Sequence, residues 1–562
     1  MVTGNLLTML DHIHVVKLEI YRLLFKSVAD EMGTVLKRTS YSANIKERRD
    51  YSCAVFDAQG EVLAMGDHMP VHLGSMSFSV ETALKELDLE AGDIAILNDP
   101  FGGGTHLPDI TMIMPVYDND LTQAPVFYIA SRAHHSDVGG MSPGSMPISS
   151  DVFQEGIRIP ILKLYRRGKL NSDIFKLLLA NVRTPAEREG DLAAQVASLQ
   201  VGNKQLCELL KKNGRNEIEL YCQGLHDYAE RLIRKVIEEI PDGSYRAEDF
   251  LDDDGQERYR SRTGIKIRVT VDVSGDSIRI DFEGTDAQVG GCVNAVQAVT
   301  NSAICYVVRC LAPVDIPSSS GIMRPIKIKP PAATIVNASY PAATVGGNVE
   351  TSQRIVDVLL KALAIALPKR IPAASSGTMN NITLGTIPPV SQKPITYYET
   401  IGGGMGGGPE GPGDHGIHTH MTNSLNTPIE ALERTFPVRV REYRLRHGSG
   451  GAGQHLGGDG IVRSFEVLTE CQASILSDRR RYAPYGLKGG RAGKKGANHV
   501  IVKGRRKRIP SKSSVWLKPG DRLVVESPGG GGWGGVAVRR RSRSRGISKA
   551  KTDMSRRRQP KR

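Results

Sequence analysis

The sequence predicts an α+β protein of several subdomains, with mixed sheets, a helical middle segment and a β-rich C-terminal part. Three observations carry that expectation. Short runs rich in β-branched and aromatic residues, Tyr51 to Phe56, Ile110 to Tyr117 and Val126 to Ala130 among them, have the composition of strands. Residues from about Ser172 to Ile240 carry apolar side chains at the helical three- and four-residue spacing. From Pro437 onward, short β-rich runs alternate with glycine turns. A chain of 562 residues can bury several cores. The expected boundaries are 1–170, 171–245, 246–436, 437–536 and 537–562.

The first element is an amphipathic helix over about His12 to Lys37, with Val15, Leu18, Ile20, Leu23, Leu24, Val28 and Met32 near helical spacing. Tyr51 to Phe56 and Glu61 to Met65 form a hairpin through Asp57-Ala58-Gln59-Gly60. Asp50 stands just before it, where a carboxylate projects from a strand end; taken alone it is a solvated charge. His68 and His72 are four apart, but Pro70 between them argues against a helical metal pair. His72 is left as a loop residue lining a site or as a structural histidine.

The chain is organised around Asp99 to Gly140. This stretch opens Asp99-Pro100-Phe101-Gly102-Gly103-Gly104-Thr105-His106-Leu107-Pro108-Asp109 and closes Ser131-Arg132-Ala133-His134-His135-Ser136-Asp137-Val138-Gly139-Gly140. Two strand-like runs lie between, joined as a hairpin, so the polar ends meet. His106, Asp109, His134 or His135, and Asp137 then share one end of a β pair. Imidazole with carboxylate is the donor set of a divalent metal. Gly103 and Gly104 allow close backbone approach to a bound substrate. A turn-capping His106 and one satisfied histidine beside an exposed one form the plainer alternative. The double cluster, flanked by glycine on both sides, favours ligands.

The helical middle segment begins at Ile174-Phe175-Leu177, breaks at Pro185 and continues over Ala194 to Lys212 and Glu217 to Ile240, as packing or interface helices. Ile265 to Val273 and Ser277 to Phe282 form a hairpin. A helix runs from Val293 to Leu311. Gly346-Gly347-Asn348 precedes another, and its free backbone N–H groups can hold an anion or a substrate carbonyl, or serve as a plain cap. Gly402 to Gly408 lacks the Lys-Ser/Thr of a phosphate loop, so any nucleotide is expected on another chain. His418 and His420, two apart, share a face if that segment is a strand.

Composition bounds the rest. No apolar stretch is long enough to span a bilayer, and Met1 to His14 lacks the pattern of a secretory signal. Seven scattered cysteines, none as Cys-x-x-Cys, suit a reduced, cytoplasmic protein. Of the net +14, residues 539–562 carry +11, from twelve Lys/Arg against Asp553, which leaves +3 for the remaining chain. The basicity therefore belongs to a tail expected to be disordered. It has no interleaved aromatics, so nucleic acid is expected only as a non-specific contact.

The two glycine–histidine–aspartate segments resemble the hydantoinase B / 5-oxoprolinase family, and the likeness extends from the first helix to Gly535. Phe153-Gln154-Glu155-Gly156-Ile157 and His420-Met421-Thr422-Asn423 are similar to further family segments. The resemblance implies ATP-dependent opening of a small cyclic amide or imide within a hetero-oligomer. A hydantoinase A-type partner would bind ATP and phosphorylate the carbonyl; this chain would hold a divalent metal, Mn, Zn or Fe, and act at the activated carbon. It also implies that Asp50, the acid before a Ser-Cys-Ala strand, is a ligand. The expected ligands are Asp50, His106, Asp109 and His134, with His135 as the alternative to His134. Asp137 is expected to orient a ligand histidine, His72 to line the site with it, and Asn348 and His420 to contact substrate or be structural. An acetone carboxylase-like subunit and a non-catalytic metal- or polyanion-binding protein are the competing readings.

Overall fold

A computed structural model of the chain describes residues 14–66, 68–118, 124–256, 264–313, 315–386 and 394–535. The expected tail and the chain start fall outside the described residues. Among these residues no helix is long and apolar enough to cross a membrane. The fold is α+β: helices pack on several sheets, as the sequence predicts.

A seven-stranded sheet positions the site. Its order is Val62–Met65, Tyr51–Asp57, Phe127–His134, Asp109–Val116, Ile94–Leu97, Leu162–Arg166, Lys169–Leu170, every neighbour antiparallel. The central strands are buried along their whole length because both faces are covered. Cys53, Val55, Met112 and Ile129 point into one core, with Phe25 and Met32 of helix Val15–Thr39 and Leu199 of helix Pro185–Asn213. Ala54, Phe56, Ile113 and Ala130 point into the other, with Val80 and Ala83 of helix Met76–Glu86. Two-sided burial explains why these strands read as apolar runs and not as alternating patterns. Each large side chain so buried stabilises the fold by roughly 1.5–3 kcal/mol.

Three expected elements differ. In the first helix the buried stripe is Leu18, Tyr21, Phe25, Val28, Met32 and Leu36, whereas Val15, Ile20, Leu23 and Leu24 face outward. The helix expected from Val293 starts at Gln297. Upstream, the Asn294 side chain accepts from the Val289 N–H and donates to the carbonyls of Val289, Gly291 and Ala343, holding a non-helical turn. His418 and His420 lie in irregular backbone with only an isolated bridge at Ile417, and His420 has a φ of 60°. The break expected at Pro185 is present: helix Ser172–Ala180 ends before it, and Pro185 opens the 29-residue helix Pro185–Asn213.

Downstream lie a four-stranded sheet under helices Gln297–Leu311 and Ser352–Ala366, a second four-stranded sheet, and the five-stranded C-terminal sheet. The segment Gly347–Thr351 is a π-helical turn at the start of Ser352–Ala366.

Candidate metal centre

Strand register builds the cluster. Asp109 opens one central strand, His134 ends its neighbour, and the two are direct cross-strand partners. The strand reaches His134, four residues beyond the apolar run that announced it. On its other side Tyr51 pairs with Ala133, and the His134 N–H donates to the Asp50 carbonyl, so Asp50 joins the same end. His106 arrives from the turn before Asp109. His72 arrives from the 3-10 turn Pro70–His72.

The Asp109 carboxylate is the hub. Its Oδ1 lies 3.2 Å from His106 Nε2 and 3.5 Å from His134 Nδ1. Its Oδ2 lies 3.5 Å from His72 Nε2 and accepts from Thr105 Oγ1 at 2.7 Å and Asn348 Nδ2 at 3.3 Å. Asp50 Oδ2 is 4.0 Å from His134 Nδ1. His72, His106, Asp109 and His134 are each at most 2% exposed. Burial pushes the Asp109 carboxyl up, but the charge of His106 and the close approach of the His106, His134 and His72 imidazoles outweigh it and hold it well below the usual range. Burial lowers His134, against the pull of Asp50 and Asp109.

The donor set fits a divalent cation. His106, Asp109 and His134 each offer an atom within 4.8 Å of the others. His72 Nε2, both ring nitrogens of His106, and His134 Nε2 are buried without a hydrogen bond. Buried imidazole nitrogens left this way cost free energy unless something else binds them. A second group, Asp57, Glu61 and His226, is different. There His226 Nε2 pairs with Asp57 at 3.1 Å, and Arg324 already lies 3.1 Å from Glu61.

A sequence model described as hydantoinase B/oxoprolinase matches residues 14–536. The chain belongs to that family. An uncharacterized protein of Methanocaldococcus jannaschii is 40% identical over 92% of this chain and 90% of its own length. A Pseudomonas sp. protein named as a putative D-/L-hydantoinase subunit is 30% identical over 91% and 88%. The 5-oxoprolinase 1 of Arabidopsis thaliana is 39% identical over 92% of this chain, which spans only 42% of that protein. Among solved structures, an ATP-dependent caprolactamase from Pseudomonas jessenii superimposes with a TM-score of 0.85 and 27% identity, over 93% and 92% of the two chains. An acetone carboxylase shares the fold, with a TM-score of 0.84 at 17% identity, over 92% of this chain and 75% of that one.

Within this family member, Asp50, His106, Asp109 and His134 come together, with His72 beside them. His135 does not join them. The pleat turns it to the opposite face, where its Nε2 meets Gln195 Oε1 at 2.9 Å and burial pushes it down to about 4. Asp137 does not reach a histidine of the cluster. Its carboxylate accepts from the Arg183 backbone at 2.6 Å and guanidinium at 2.9 Å. The orienting contact instead falls to Ser52, whose Oγ lies 2.8 Å from His72 Nδ1. Gly103, at φ 97°, lies against helix Met76–Glu86, where a Cβ would come 2.7 Å from the Phe78 carbonyl oxygen, and a Cβ on Gly104 would come 2.7 Å from those of Asn98 and Asp99 in its own turn. Asn348 reaches the cluster through Asp109. His420 lies on the wall of a neighbouring cavity.

Sequence reasoning missed Arg48 and Tyr398. Arg48 is fully buried, 4.0 Å from Asp50 Oδ2, and donates to Asn44 Oδ1, the Tyr398 carbonyl and Thr400 Oγ1. Its signal was present but weak: five consecutive charges, Lys46-Glu47-Arg48-Arg49-Asp50, directly before an apolar strand. Arg49, at φ 59°, makes the turn between them. Tyr398 comes from a distant strand and left no local signal.

Proposed function

We propose that this chain is the metal-dependent component of an ATP-dependent hydrolase of small cyclic amides or imides. It acts with a hydantoinase A-type, ATP-binding partner in a hetero-oligomer, on a ring carbonyl that the partner phosphorylates. The observation that carries the reading is the buried Asp109 hub, surrounded by imidazole nitrogens with no other use. The likeness to the caprolactamase, at 27% identity over nearly the whole chain, supports amide opening over carboxylation. The acetone carboxylase match, at 17%, speaks to the fold alone.

His106, Asp109, His134 and Asp50 would hold the ion, with His72 adjacent. A bound divalent cation, Mn, Zn or Fe, polarises a carbonyl oxygen or lowers the pKa of water. The chain's own residues supply the rest. Asp109 stays ionised among donors. Arg48, 4.0 Å from Asp50 Oδ2, helps hold that carboxylate in place. Ser52 fixes the His72 ring and leaves Nε2 beside Asp109 at the edge of the cluster, where it can take or return a proton. Asn348 spends one amide N–H on Asp109 and keeps its Oδ1 unpartnered, an acceptor for a ring N–H. Water adds to the phosphorylated carbonyl carbon, the C–N bond breaks and the ring nitrogen leaves protonated; a second water then releases the phosphoryl group as inorganic phosphate and leaves a carboxylate.

The test is elemental analysis of the purified chain, wild type beside His106→Ala, followed by assays with the partner and ATP on hydantoin, 5-oxoproline and caprolactam. Near-stoichiometric metal lost in the variant, with ring opening only when partner and ATP are present, is expected. Turnover by the isolated chain without ATP, or a wild type that takes up no metal, overturns the reading.

A further inference from the structure

We infer that the cavity behind the turn Pro70–His72 seats the organic ring, and that it selects an uncharged lactam or imide over one bearing a carboxylate. This names the substrate class of the hydrolase reading above and rests on it.

The cavity measures about 470 Å³ and is walled largely by Leu311, Leu360, Ile371, Met405 and Ile417, with His418 and His420 on one side. The turn Pro70–His72 connects it to the metal cluster, none of whose residues lines the cavity itself. Pro70 lines it, and His72, in the same 3-10 turn, reaches Asp109. Asn423, also on the wall, donates to the His68 carbonyl at 2.6 Å, and the next residue, Ser424, accepts from Arg48 at 3.3 Å. The segment that closes the cavity is thus tied to the chain just before the turn Pro70–His72 and to Arg48, which faces Asp50.

Charge decides what fits. Among the lining residues the one fixed cation is Arg370, and it is committed: Nη1 lies 2.8 Å from Glu239 Oε2, and Nη2 donates to the Leu311 carbonyl at 2.5 Å. A ring carboxylate entering this wall would lose its water and meet no free cation. An amide ring loses little. One polar group on the wall is open to it, since His420 Nε2 makes no hydrogen bond and has only Asp357 Oδ1 near it, at 3.8 Å, while Nδ1 lies 3.4 Å from the Tyr306 hydroxyl. Burial holds His420 down to about 4, and burial with the charge of Arg48 holds His418 down to about 3, so neither imidazole is a cation at neutral pH.

The experiment is calorimetric titration of the full chain, without partner or nucleotide, with 2-piperidone, 5-oxoproline and 5-oxoproline amide, the last differing from the second by its charge. The two uncharged rings are expected to bind at least about tenfold more tightly than 5-oxoproline. Leu360→Phe, which fills the cavity, should weaken them by a similar factor, and Met405→Lys, which adds a cation, should bring 5-oxoproline up to its amide. Metal content and melting of each variant establish that it is folded. Equal binding of 5-oxoproline and its amide by the wild type, no ring binding at all, or affinities indifferent to both substitutions would each overturn the inference. Ring binding with this charge preference but no ATP-dependent turnover would count against the hydrolase reading and leave the cavity assignment standing. Turnover unaffected by either substitution would do the reverse.

Discussion

The ring of Tyr398 lies flat against the imidazole of His134, with centroids 4.5 Å apart and planes 9° from parallel. The Arg48 guanidinium sits over the same tyrosine ring at 4.7 Å. The Tyr398 hydroxyl donates to Asn381 Oδ1 at 2.8 Å, and Asn381 in turn donates to Glu350. One aromatic plate therefore fixes the angle at which His134 meets Asp109.

Tyr398→Leu removes the plate and leaves His134 free to rotate. Metal affinity, read by competition with a chromogenic chelator, should fall on the order of tenfold. Tyr398→Phe keeps the stack, loses only the bond to Asn381, and should stay within about threefold of wild type. Equal affinity for all three proteins would remove Tyr398 from the site.

His135→Asn and Asp109→Asn separate the two faces of the central strand pair. Asp109→Asn should lower metal affinity by at least about a hundredfold, since it neutralises the hub. His135→Asn should leave metal content intact and lower stability by roughly 1–3 kcal/mol, through the lost contact to Gln195. Metal loss in His135→Asn would show that His135, and not His134, serves as the ligand.

Glu155 gives the chain a pH-dependent stability. Its carboxylate accepts from Ser149 Oγ and from the Thr344 and Val345 N–H groups. Burial still dominates and raises it from 4.5 to about 7. The folded state binds this proton more tightly than the unfolded state. Its contribution is therefore fully present below pH 4.5 and is lost as pH rises through 7, for at most about 3 kcal/mol. Glu155→Gln should flatten that fall. Denaturation midpoints of both proteins from about pH 5 to 8 measure it, and parallel curves would contradict it.

Arg354 ties the middle region to the C-terminal region. It is fully buried and bonds Asp478 at 2.8 Å and Asp249 at 3.1 Å. Arg479 and Lys512 complete the network. Arg354→Met leaves buried carboxylates uncompensated and should cost about 3–5 kcal/mol. Urea denaturation reads this directly; a loss under about 1 kcal/mol would mean that the carboxylates find other partners.

Much of the fold is legible in the chain itself. The composition of Tyr51 to Phe56, Ile110 to Tyr117 and Val126 to Ala130 marks strands because β-branched and aromatic side chains suit a pleated, covered surface. What the runs did not show was their length. Ser131 to His134 is polar in part, yet it continues the strand because Arg132 enters a buried polar pocket, bonding Thr111, Ser75 and Ser79. Those four residues bring His134 level with Asp109.

By itself, the sequence determined the α+β class, the chemistry of the ligand types and the convergence of Asp109 with the His134–His135 pair, because a hairpin brings its own ends together. Only the tertiary structure decided between His134 and His135, gave Asp137 to Arg183, brought His72 onto Asp109, and set Arg48 against Tyr398, 350 residues away. The reason is physical. A strand's side chains alternate, so a one-residue difference selects the opposite face, and only packing shows which face holds the site. Contacts between residues far apart in the chain depend on how whole sheets stack, and local periodicity carries no record of that.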